Sequence, residues 1–374
     1  MKTMILRNIF ISIGVLFASG RLLPGGTEDC ILNSTKMPLV PPHPTFITFD
    51  VPAAVYGTFP IGINRAGTIT GYYIDDSPPF GYTFHGFLRT RDGTISTFDA
   101  PGGVNGTLPG AALTFGGPCI APDGAITGTY LDASNVDHGF LRAPDGTFTT
   151  FDAPGAVNGT NAQAINPKGT IMGYYFEASG GPHGFLRHRD GTFTTFDAPR
   201  AVYGTQPLGF NPEGAVTGQV FGALGLTAHG FMRTADGNFA EFDPPRSIYT
   251  QPEAINCAGE ITGFYVDRRF PNPWHGFLRA PDGALATFDA PDAGTAFEEG
   301  TIAYGINPAG TITGYYIDSS SLVHSFLRAA DGTITEFDVP PGGFGTAAVA
   351  INPAGLITGS YSDADGDHGF LRIP

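Results

Sequence analysis

Short runs that alternate apolar and polar residues recur along this chain, and each run stops at a glycine-bearing turn. Residues 165–197 show the pattern in one stretch. An apolar run ends at Ile165 and Asn166, and Pro167, Lys168 and Gly169 turn the chain. Residues 170–175, 183–187 and 192–197 form three further runs, with Arg189, Asp190 and Gly191 turning the chain between the last two. Asn-Pro-x-Gly and x-Asp-Gly make hairpin turns because glycine takes a positive φ at no steric cost. Thr, Phe, Ile and Tyr fill the runs and suit a pleated, half-buried surface. No window repeats its apolar residues with a helical period. The pattern therefore predicts an all-β chain built from four short antiparallel strands, a to d.

That four-strand unit repeats. Phe-Asp with a proline two residues on occurs at Asp50, Asp99, Asp152, Asp197, Asp243, Asp289 and Asp338. A His-Gly-Phe-Leu-Arg motif, or a near variant, begins at His85, His138, His183, His229, His275, His324 and His368. The spacing of roughly 45 residues is that of one β-propeller blade. The chain ends complete the count. A lone strand d, residues 45–50, precedes the first unit, and the last unit stops after its strand c, residues 368–372. Pairing the two hides an open sheet edge and closes a ring. The expectation is a single seven-bladed β-propeller over residues 45–374, its last blade completed by the N-terminal strand.

The seven His-Gly-Phe-Leu-Arg units resemble the extracellular HAF repeats of exported bacterial proteins. Gly stands in place of their Ala, and Ser325 once replaces that Gly. The resemblance spans residues 45–374. It implies export and a repeat fold, and it brings no catalytic residue with it. Ring closure by an N-terminal outer strand is also similar to WD-type propellers, whose signature dipeptide is absent.

Composition narrows the picture. The chain holds 54 Gly and 32 Pro, yet 41% of it is hydrophobic and only 14% charged, which excludes disorder of the bulk. The net charge of −15 makes nucleic acid or an anionic membrane surface an unsuitable partner, since both need clustered cations. Lys2 and Arg7 before an apolar core at residues 9–18 read as an export signal over residues 1–20, with an uncleaved anchor as the alternative. A Pro-rich leader, 21–44, follows. The expected location is secreted, periplasmic or extracellular, and the expected state a monomer. Cys30, Cys119 and Cys257 form no disulfide framework and no metal motif. One pair could form and would leave one thiol over.

Candidate chemistry divides into repeated and unrepeated residues. Antiparallel pairing brings the histidine of strand c and the aspartate ending strand d to one end of a blade. His138 with Asp152, His183 with Asp197 and His275 with Asp289 therefore read as structural hydrogen-bonded pairs. A catalytic dyad needs no sevenfold copy. The repeated arginines read as interblade packing residues paired with carboxylates. The a–b and c–d turns keep their length, whereas the b–c and d–a connections vary, and binding residues usually sit on variable loops of a rigid scaffold. The first b–c loop carries Phe80 and Tyr82, and the fifth carries Arg268, Arg269 and Trp274, a set suited to stacking on a sugar or clamping a carboxylate. The d–a connection of the second unit reads as longer than that of the third, running from Asp99 to Ile120 against Asp152 to Ile165. Gln163, Gln206, Gln251, Glu253, Glu298 and Glu299 fall near the start of the inner strands, where they either line the expected channel with acceptors or are simply solvated. Asp363, Asp365 and Asp367 alternate as oxygen ligands do in calcium loops, without the distant glutamate of a full one. No cofactor is expected beyond that calcium. The leading function is a binding or interaction module for a glycan, another extracellular polymer or a protein. The alternatives are a hydrolase or lyase using Glu253 with the Arg268/Arg269 loop, and a structural envelope protein. The sequence leans away from an enzyme because it contains no HExxH, P-loop or G-x-S-x-G elbow in its required context.

Overall fold

Each unit pairs its strands in chain order. In the third, Thr160–Ile165 (a), Ile171–Phe176 (b), Pro182–Arg187 (c) and Phe193–Phe196 (d) form one antiparallel sheet ordered a-b-c-d. Twenty-eight such strands fit seven blades. The structure, a computed structural model, describes residues 44–374 except 78–80, 111–117, 179, 341–342 and the side chain of Leu224. The expected export signal, the leader up to residue 43, Cys30 and Phe80 lie outside the described residues. The chain has a β-propeller fold.

Closure follows the end arithmetic. Thr45–Phe49 pairs antiparallel with Asp367–Ile373, Thr45 opposite Ile373 and Phe49 opposite Gly369. Amide links then join neighbouring blades across the ring, among them Asn352 Nδ2 donating to the Asn64 carbonyl at 3.0 Å and Asn211 Nδ2 to the Asn256 carbonyl at 2.7 Å.

The repeated residues explain the local geometry. Strand a carries a bulge, between Ala162 and Ala164 in the third unit, that pushes its backbone onto strand b. A side chain at Gly173 would place its Cβ 2.1 Å from the Asn161 carbonyl oxygen, so the position admits only glycine. The threonine opening strand a is buried and fixes the d–a turn. Thr58 Oγ1 accepts the Val51 N–H at 3.0 Å, and Thr205 Oγ1 accepts that of Ala198 at 3.0 Å.

Blades meet through aromatic rings. The phenylalanine of each strand c is fully buried and packs on the strand d phenylalanine of the preceding blade, as Phe185 does on Phe151 at 6.3 Å. The repeated arginine then lies over that same ring: Arg187 over Phe151 at 4.8 Å, Arg372 over Phe337 at 4.9 Å and Arg89 over Phe49 at 4.8 Å. This corrects the expected carboxylate pairing. Among the described residues these arginines make no ion pair, because the space between two sheets offers an aromatic face, for which guanidinium has affinity.

The second unit also differs from expectation. Ala100 N–H reaches Thr107 Oγ1 at 3.0 Å with the spacing found in other units, so the d–a turn is ordinary. In sequence the extra residues fall instead between Gly106–Pro109 and the bridge of Ile120 to Ile126.

The axis is filled rather than open. Units 1, 2, 6 and 7 send Phe59, Ile61, Leu108, Ile302, Tyr304 and Val349 into one apolar cluster. Units 3 and 5 bury Asn161, Gln163, Gln251 and Glu253 in their inner strands. Deleting residues 45–50 should expose the strand edge of the last sheet and remove the ring that Arg89 covers. The expected outcome is a lowered melting temperature with aggregation seen by light scattering, and an unchanged melt would contradict the closure described.

Candidate functional site

The histidines form the most regular polar feature. In every blade Nδ1 of the strand c histidine meets the Phe-Asp carboxylate: 2.9 Å in His138–Asp152, His183–Asp197 and His275–Asp289, and 2.9 Å in His368–Asp50 across the closure. Tyrosines of strand b lie against the imidazoles, Tyr73 on His85 at 5.1 Å and Tyr361 on His368 at 5.0 Å. A second carboxylate, two residues after that tyrosine position, faces Nε2 in four blades. The pairs are Asp75–His85 at 3.3 Å, Asp132–His138 at 3.7 Å, Asp318–His324 at 3.7 Å and Asp363–His368 at 3.1 Å. An imidazole between two carboxylates donates from both nitrogens only as the cation. Burial alone would lower the His368 pKa, but its bonds to Asp50 and Asp363 raise it above the ordinary value.

The inner strands of units 3 and 5 carry buried polar side chains. Glu253 is fully buried, takes one hydrogen bond from Gln251 Nε2 at 2.6 Å, and leaves Oε2 without a partner. Burial pushes its pKa well above the ordinary carboxylate value, against the lowering effect of the Gln251 hydrogen bond. Gln206 accepts from Gln219 Nε2 at 2.7 Å. Gln163, Gln251 and Glu253 are buried, and Gln206 is half-buried.

The two faces differ. On the a–b side a depression of about 120 Å³ is ringed by the Ile-Asn-Pro turns, exemplified by Ile165, Asn166 and Pro167, with Arg65 and Cys257 replacing the proline in two units. Sequence reading treats this face as uniform, and the repetition of short turns is what builds its ring. The d–a and b–c side carries, Ile47 excepted, every large apolar residue exposed among the described residues. Each unit supplies one at its d–a connection: Val55, Val104, Val157, Val202, Ile248, Phe297 and Phe344. The b–c loops add Tyr82, Leu226, Phe270 and Leu322. The alternation of strands hid this ring, because single valines in turns carry no periodic signal.

The unrepeated candidates are scattered across that face. Tyr82 is exposed and meets Phe84 edge-on at 6.2 Å. Trp274 is half-buried and packs on Phe264 at 5.7 Å, so it supports the core. Arg268 and Arg269 are exposed, and Arg269 Nη2 donates to the buried Asp267 at 2.8 Å. Glu253 and Arg269 thus have different partners. Asp363 and Asp367 also turn to separate tasks: Asp363 Oδ1 accepts the Asp365 N–H at 2.8 Å, and Asp367 accepts from Ser362 at 2.5 Å. Among the described residues no group of three His, Cys, Asp or Glu could hold a metal ion. Cys257 is disulfide-bonded and Cys119 is a buried free thiol whose pKa burial pushes up to about 12. Among the described residues no helix is long and apolar enough to cross a membrane.

No family model and no curated protein matches the sequence. The fold does have solved counterparts. The chain is similar to a streptogramin B lyase (15% identity, TM-score 0.55, covering 88% of this chain and 98% of that one). It is similar also to a catalytically inactive virginiamycin B lyase from Staphylococcus aureus with quinupristin (13%, 0.56, 89% and 100%). The β-propeller domain of the Trilobed protease from Pyrococcus furiosus, which has an open velcro topology, matches at 9% identity and TM-score 0.58 over 84% of this chain and 96% of that one. At such identities the likeness is one of fold.

Two pH dependences follow. The raised His368 contributes stability that is fully present below 6.5 and lost as pH rises through its folded pKa. The lowered Asp363 contributes above 3.8 and is lost as pH falls through its own folded pKa. Thermal melts of His368→Gln should differ from wild type most between those ordinary values and converge at alkaline pH, whereas a constant difference would oppose an ionic clasp. Glu253 acts in the opposite sense. Its folded state keeps a proton that the unfolded chain loses above 4.5, so stability falls as pH rises past that value. Glu253→Gln should melt higher than wild type at pH 7 and equally near pH 4; equality at both would mean a charged, partnered Glu253.

Proposed function

We propose that this chain is an exported binding module that seats a protein partner on the apolar ring of its d–a and b–c face. The observation that carries the reading is that ring, to which every blade contributes an exposed large apolar residue. With the b–c residues, these d–a residues bring the exposed large apolar side chains of the described residues, Ile47 excepted, to one face, and apolar surface gathered on one face marks interaction sites. The ring's composition favours protein over glycan. Sugars need flat aromatic platforms, and four of its seven d–a positions are valine, a shape that fits aliphatic side chains. Export is supported by the basic and apolar N-terminal pattern and by the HAF-like motif. The hydrolase or lyase reading is the weaker one, since Glu253 is enclosed and Arg269 is engaged by Asp267.

Peptide display against the purified protein tests this reading. Peptides enriched on wild type should lose at least tenfold in affinity, about 1.4 kcal/mol, for the double variant Val157→Asp and Val202→Asp, with its melt unchanged. Equal binding by the variant, or enrichment of glycans alone on a parallel array, would overturn it.

A further inference from the structure

One sector of this face departs from the repeat in charge. The described residues contain Lys and Arg of three kinds: the interblade arginines, four on a–b or c–d turns, and Arg200, Arg246, Arg268 and Arg269. All four of the last group lie on the d–a and b–c face, and all belong to units 4 and 5. A chain of net charge −15 therefore confines the lysines and arginines of its variable face, among the described residues, to two neighbouring units.

Unit 5 gives up a repeated contact to build this sector. Asp267 occupies the position from which Asp75, Asp132, Asp318 and Asp363 face their own histidines. Here its carboxylate, almost fully buried, accepts instead from Arg246 Nε at 3.2 Å and from Arg269 Nε and Nη2 at 3.1 and 2.8 Å. Nε2 of His275 is buried without a hydrogen-bond partner, as is that of His85, and among the described residues His275 has no carboxylate facing Nε2 as Asp75 faces that of His85. Burial would raise the Asp267 pKa, yet the arginine bonds hold it at about 2. The backbone is shaped to the same end. Arg246 sits in the left-handed region at φ 67°, an uncommon and costly conformation for such a residue. Its carbonyl accepts the Arg268 N–H at 3.0 Å, which ties the two loops together. One buried negative charge thus anchors two exposed guanidinium groups, with Arg268 beside them making no ion pair among the described residues.

We propose that this sector recognises an acidic peptide segment in which carboxylates alternate with apolar side chains. The inference rests on the apolar-ring reading and adds the charge of the partner. Two observations select the class. Excess guanidinium fits carboxylate in bidentate geometry. Phe270, Ile248 and Leu226, exposed around the arginines, offer seats to apolar side chains that a polyuronate does not possess. On the far side of the unit 5 loop, the groove containing Pro271, Asp292 and Glu299 is acidic, which disfavours the same ligand there and sets its register toward unit 4.

Fluorescence anisotropy on the full chain, with a labelled peptide alternating Glu and Leu, tests the proposal. Binding should weaken about tenfold, or 1.4 kcal/mol, when Glu is replaced by Gln in the peptide or Arg268 by Glu in the protein, and it should fall as salt rises. Arg268 is exposed and outside the buried pair, so Arg268→Glu should melt as wild type; if it does not, the Glu-to-Gln peptide and the salt series decide alone. Equal affinity for both peptides overturns the charge inference while leaving the ring reading standing. Binding of neither peptide overturns both, and tighter binding of polygalacturonate or anionic vesicles overturns the peptide class.

Discussion

Ring closure is the constraint on which the remaining structure depends. Each blade boundary uses one device: a strand d phenylalanine held between the buried phenylalanine and the arginine of the next blade. A device of this type is only as good as its last copy, because an unclosed ring would leave one aromatic face wet and one sheet edge open. The N-terminal strand supplies that copy. Phe49 receives Arg89 and packs on Phe87 at 6.2 Å, while its own strand completes the sheet of Asp367–Ile373. Hydrogen bonding, aromatic packing and the His368–Asp50 contact therefore converge on a five-residue strand and the aspartate that follows it.

Much of this was legible in the sequence, because repetition converts weak signals into strong ones. One Asn-Pro-x-Gly turn says little; seven near-copies at blade spacing define strands, their order and the seam. The histidine–aspartate contacts were readable for the same reason, since antiparallel pairing fixes which residues share a blade end. The arginine stack was not. Its partner lies in a different sheet, and interblade neighbours follow from ring curvature, which no local pattern encodes. The displaced insertion of unit 2 was misplaced because counting residues between motifs cannot say on which side of Thr107 the extra ones fall.

The candidate site was legible only in part. Arg268, Arg269 and Trp274 stood out as breaks in the repeat, but one class of break hides two fates. Trp274 turned inward to Phe264, and the arginines turned outward over Asp267. The apolar ring escaped notice because its members occupy turns. Its most informative residue, Asp267, looks like an ordinary repeat aspartate, and only the position of its side chain reveals that it serves arginines rather than histidine.

Strand direction has a further consequence. Thr45 pairs with Ile373 at the c–d turn end of the last blade, so both the incoming and the outgoing chain join the molecule on the side of the a–b depression. A support or tag attached after Pro374 would thus emerge on the face opposite the exposed valines.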